Sequence, residues 1–233
     1  MTTDTAHATT EHAGLPMTTT ATALPPAVDA TDAPRPRFAD RLAAALRGER
    51  IKATTVRANK LLLAGAAIVG LLTSWATAAF ATDEGLTVTE VFVYPMLLTA
   101  VLAAIAGVLA FTSEVQHGTR AGALTAHPSR WPVIAAKAIL AAGFGLLLGV
   151  VGLLPGFLGA LAGGLEVGDS AGVTATIGWA LLYAAGSALL GLGVGMVVRH
   201  SAGAVAGLLV WWLVVESLVV QFAPAEVVRF VPF

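Results

Sequence analysis

Apolar residues in this chain come in unbroken blocks rather than at strand or amphipathic-helix spacing. Five blocks follow one another: "LLLAGAAIVGLLTSWATAAFA" (61–81), "VFVYPMLLTAVLAAIAGVLAF" (91–111), and the stretches 133–162, 173–198 and 202–222. A helix needs about 20 apolar residues to cross roughly 30 Å of hydrocarbon. Each block therefore predicts a membrane-spanning helix, and the chain reads as an all-α, polytopic bundle of five transmembrane helices. Pro155, inside the third block, removes a backbone donor and predicts a kink there.

Ahead of the first block the pattern changes twice. Residues 1–36 form a Thr/Ala/Pro-rich tract with almost nothing bulky to bury, which predicts a disordered tail. It has neither the basic start nor the apolar run of a signal peptide. Residues 37–60 form a basic juxtamembrane segment with helix propensity, in which Phe38, Leu42, Ala45 and Leu46 share one face. Two readings stand for it: a helix lying on the anionic inner leaflet, or the ordinary positive flank of the first span, since the apolar stripe breaks at Gly48.

Composition agrees with the blocks. Hydrophobic residues make up 57% and charged residues 12%, where soluble domains carry about a quarter charged. Position matters more than the net charge of -1. In a five-span arrangement every Lys and Arg except Arg229 falls on one side, and basic loops stay in the cytoplasm. The expected location is the cytoplasmic (inner) membrane with the N-terminus inside and 112–132 as a cytoplasmic loop. Residues 61–233 make up the membrane domain.

Catalytic machinery is hard to find. No lysine sits in a Gly-x-x-x-x-Gly-Lys-Ser/Thr frame, so the chain is not expected to hydrolyse ATP itself. The five histidines lack metal-ligand spacing, and with no cysteine there is no thiolate site. Neither catalytic, cofactor-binding nor metal residues are expected. Glu216 lies inside the fifth block, where a charge costs about 3 kcal/mol. It reads either as a pathway residue or as a protonated or hydrogen-bonded glutamate near Ser217. Glycines four apart, Gly145 and Gly149, Gly191 and Gly195, Gly203 and Gly207, predict close helix packing.

The loop 112–132 is longer than a connector requires. Ser113 and Gln116 have capping-box spacing, Glu114 suits a helix N-terminus, and Pro128 marks a stop, which together predict a short helix parallel to the membrane. Trp131 then sits at headgroup level.

The string Glu114, Gly118, Thr119, Leu124, Pro128, Ser129, Arg130, Lys137 resembles the loop after the second span in permease subunits of ABC-2 type exporters, especially actinobacterial ones. "RHSAGAVAGLLVWWLVVE" resembles the fifth span of that family, and "VVRFVPF" the approach to its sixth. The resemblance implies a six-span permease that pairs with itself or a homologue. It also implies a separate ABC ATPase subunit that binds ATP and Mg, so that the permease exports a substrate without holding a cofactor. The coupling residues it implies are Glu114, Gly118, Thr119, Arg120, Pro128, Ser129 and Arg130. Two rival readings remain: a non-transporting membrane anchor that recruits a cytoplasmic partner, and a proton-coupled carrier using Glu216. No feature points to nucleic acid.

Overall fold

The computed structural model describes residues 37–80, 85–116 and 131–222, and every regular element among them is helical. Helix α1 (Phe38–Thr55) starts where the Asp40 carboxylate accepts the Arg37 N–H at 3.2 Å. Gly48 does not end it. The break comes at Val56, whose backbone is extended, and the Asn59 side-chain amide donates to Ala53 O across it at 2.9 Å. The basic segment is thus divided: 38–55 is a separate helix, and 57–60 opens α2 (Arg57–Phe80).

A short α3 (Val88–Val91) precedes α4 (Met96–Gln116). Glu90 accepts the Thr87 N–H at 2.9 Å, and the Val88 N–H donates to Glu166 O at 3.0 Å. Two long helices follow, α5 (Trp131–Ala162) and α6 (Val173–Val198). Helix α5 runs through Pro155 without a break in its assignment. Arg199, left-handed at φ 57°, turns the chain into α7 (Ser201–Val210), whose first turn is capped by His200 accepting the Gly203 N–H at 3.1 Å.

Four helical stretches among the described residues are long and apolar enough to cross a membrane: Arg57–Phe80, Val88–Val115, Trp131–Ala162 and Val173–Val198. These match the first four expected spans. The fifth, 202–222, differs. It is helical in three pieces: α7, a π-helical stretch Trp211–Glu216, and α8 (Ser217–Phe222). Its apolar helix, Ser201–Val214, falls short of a span. The tail 1–36, most of the loop 112–132 and the segment 223–233 lie outside the described residues.

Small residues hold the four long helices together. Gly70 of α2 meets Gly152 of α5, and Gly159 meets Leu71, so these two run parallel. Likewise Gly191 of α6 meets Ala104 of α4, and Gly195 meets Val108, so these two are also parallel. The second pair runs antiparallel to the first, because on α5 Gly145 touches Ala188 of α6 while Gly149, further along, touches Leu181. A Cβ added at Gly191 or Gly107 would run into a backbone carbonyl of the neighbouring helix. That explains glycine at these points, where backbones approach closely. A Cβ at Gly145, Gly149, Gly191 or Gly195 would crowd atoms of a neighbouring helix, whereas at Gly203 and Gly207 it would crowd none. They lie on α7, which has little packed against it among the described residues.

The interior is correspondingly rich in alanine, with Ala66, Ala103, Ala136 and Ala184 fully buried, while Leu182, Trp179 and Val197 point outward and are exposed. Large apolar side chains outside and small ones inside suit a bundle whose solvent is hydrocarbon. Buried hydroxyls find backbone carbonyls: Thr99 donates to Pro95 O, Thr112 to Val108 O and Ser187 to Tyr183 O, each one turn back, at 3.0, 3.0 and 2.8 Å, while Ser74 of α2 reaches Val91 O of α3 at 3.4 Å.

Gly191→Val is expected to lower stability in detergent by about 1–3 kcal/mol through overpacking. Gly193→Ala, at a position open to its surroundings, should stay within about 0.5 kcal/mol. Thermal unfolding followed by circular dichroism separates the two.

A buried ion cluster as the candidate functional site

One lysine interrupts this apolar packing. Lys137 sits in the second turn of α5, and its side chain is 4% exposed. An ammonium taken out of water is expensive unless it is paired and every donor is used. Lys137 Nζ donates to Glu49 Oε1 at 3.0 Å and lies 2.7 Å from Glu114 Oε1. Its third neighbour is Ala110 O at 3.4 Å. All three protons are directed at protein oxygens.

The glutamates in turn share a second cation. Lys52 Nζ donates to Glu49 Oε1 at 3.0 Å and to Glu114 Oε1 at 2.6 Å. Two lysines and two glutamates thus alternate in a closed, electrically neutral ring. Three helices build it: α1 contributes Glu49 and Lys52, α4 contributes Glu114 and α5 contributes Lys137. Glu49 and Lys52 are three apart on one helical face, and beyond each other Glu49 reaches Lys137 while Lys52 reaches Glu114. Burial acts to lower the Lys52 pKa, yet its hydrogen bonds to Glu114 and Glu49 outweigh that and hold it above its ordinary value of 10.5.

A cavity of about 650 Å3 opens beside the ring. Its walls are apolar, formed by Ala53, Val56, Ala106, Leu140 and Phe144 among others, with the four charged side chains on one flank.

Of the residues the sequence singled out, Glu114 belongs to this ring. Its setting differs from expectation: it lies in the last turns of α4, not at the start of a loop helix. Ser113 is not an N-cap either, because its hydroxyl donates to Leu109 O at 2.6 Å inside α4. The second span simply continues further than its apolar block, and the carboxylate near the negative end of α4 is held by two lysines instead of by a helix dipole. Gly118, Thr119, Arg120, Pro128, Ser129 and Arg130 lie outside the described residues. Glu216 ends the π-helical stretch, far along the chain from the ring.

Glu49, Lys52 and Lys137 were not singled out as a site. The available signal was Lys137, an ionisable residue placed among "VIAAKAILAAG" at the start of an apolar block. Such residues mark functional or paired positions by default. Its partners could not be read, since they lie 88 and 23 residues away in sequence on other helices.

No protein-family model, curated protein or solved structure matches this chain.

Lys137→Met leaves two glutamates facing a single half-exposed lysine, and is expected to cost about 3–5 kcal/mol. Adding Glu114→Gln to it should restore part of that loss, measurable as a coupling energy in denaturant titrations. The raised Lys52 pKa gives a sign: its contribution is complete below about pH 10.5 and fades as pH climbs through the folded-state value. Lys52→Met should therefore flatten the alkaline end of the stability profile, read by thermal unfolding between pH 9 and 11.5.

Proposed function

We propose that this chain is the membrane-spanning permease subunit of an ATP-driven exporter, working with a separate ATPase that supplies the energy. One observation carries the reading: Glu114, where α4 leaves the bundle toward the loop 117–130, is bonded to Lys52 of α1 and stands 2.7 Å from Lys137 of α5. A force applied to that loop reaches three helices through one carboxylate. In this reading the loop is cytoplasmic and receives the ATPase, with Gly118, Thr119, Arg120, Pro128, Ser129 and Arg130 as contact residues. The bias of Lys and Arg along the sequence supports an orientation in the cytoplasmic membrane with the N-terminus on the cytoplasmic side. The helical run 201–222 then serves as a fifth crossing, and a second copy or a homologue completes the path.

The resemblance of the loop to exporter permeases supports the reading from the sequence side. The ring supports it from the physical side: Lys137, Glu49 and Glu114 are largely buried and paired with one another, so a displacement of Glu114 is felt by α5 and α1.

The absence of cysteine makes topology directly testable. Gly118→Cys should react with a membrane-impermeant maleimide only after cells are opened, and Ser170→Cys, at an exposed position, should react in intact cells. The reverse pattern defeats the proposal. Purified from its native membrane, the chain should carry ATP-hydrolysing activity that Glu114→Gln lowers at least about fivefold, the lower end of usual site-to-site coupling.

A further inference from the structure

The four members of the ring are not equally held. The Lys52 side chain is 51% exposed, against 13% for Glu49, 14% for Glu114 and 4% for Lys137. The exchangeable member is therefore a cation. Lys52 is tethered by a flexible stem and can swing its ammonium into water with its charge fully hydrated. The place it leaves is defined: a point between Glu49 Oε1 and Glu114 Oε1, on the flank of the 650 Å3 cavity.

A second ammonium entering that point would keep the ring neutral, one cation replacing another. An anion would instead have to displace a carboxylate that is mostly buried and shared with Lys137, leaving charge unpaired. Each glutamate also offers its Oε2 atom, to which no hydrogen bond runs among the described residues. These are acceptors for the further N–H groups of a primary or secondary amine. The rest of the cavity offers hydrocarbon, with Val56, Leu140 and Phe144 in its wall. Its volume lies within the range of roughly 300–1,000 Å3 of small-molecule sites.

We infer that the cavity between α1, α4 and α5 is a binding site for amphiphilic amines, whose ammonium takes the place of Lys52 between Glu49 and Glu114. Lys52 then acts as a built-in competitor that fills the cation position when the cavity is empty. The inference goes beyond the exporter reading, since binding needs only the ring and the cavity and no ATPase.

The test uses the purified full chain in nanodiscs of zwitterionic lipid, without nucleotide or partner. The probe is a dansyl-labelled long-chain primary amine, compared with its N-acetylated form and with a dansyl-labelled fatty acid of equal length. The amine should bind saturably and about tenfold or more tighter than the other two. Lys52→Ala, at the most exposed member of the ring, should tighten amine binding by about tenfold and leave the acetylated probe unchanged. Glu49→Gln should weaken the amine by a similar factor. Equal binding of the amine and its acetylated form, preference for the fatty acid, or unchanged or weaker amine binding in Lys52→Ala each overturns the inference. Amine binding without an associated ATPase would leave this site standing and remove the exporter reading. ATPase association without amine binding would do the reverse.

Discussion

The positive charge of Lys137 is the constraint around which one end of this molecule is arranged. Its ammonium is buried in an otherwise apolar helix, where an unpaired charge would be prohibitive. Neutralising it takes carboxylates from two other helices, and their own negative charge then calls in Lys52. Helix α1, which buries no residue fully, is tied to the bundle here by Glu49 and Lys52. A helix with so little apolar contact depends on its ion pairs for position more than a core helix would.

The remainder of the bundle follows a different rule. Between the long helices the closest approaches are made at glycine and alanine, with larger side chains such as Leu148, Phe92 and Met96 packed in clusters between them. In a membrane the hydrophobic effect does not drive helices together, so close approach and dispersion must. The two parallel pairs, α2 with α5 and α4 with α6, are built this way along much of their length. Such packing resists sliding, because each glycine accepts a neighbour's carbonyl at one register only.

These two rules meet at the cavity. Where α1 packs on α5 and reaches Glu114 of α4 through Lys52, small residues such as Ala53, Ala106 and Ala141 line the cavity together with the charged ring. A rigid glycine-packed bundle with a polar joint on one edge concentrates any movement at the joint. Exchange of one cation for another there, or a push on the loop beyond Glu114, would act on α1, α4 and α5 together.

Much of the fold was legible from the sequence because membrane helices are written in contiguous blocks. Four of the five blocks became long apolar helices, with edges within a few residues, since hydrocarbon thickness fixes their length. The spacing of Gly145, Gly149, Gly191 and Gly195 along a helix face is legible locally, while the helix that each one meets is decided by the tertiary packing. The block 202–222 is helical in three pieces, and hydropathy does not register the change from α- to π-helical bonding at Trp211. Nor could local pattern place Ser113 and Glu114, whose capping spacing is satisfied equally well inside a helix that runs on. The ring itself belongs to tertiary structure alone. Glu49, Lys52, Glu114 and Lys137 are ordinary charges in the sequence, and only the approach of three helices brings their head groups within 3.0 Å of one another. Burial and pairing are properties of that approach, and no one-dimensional pattern contains them.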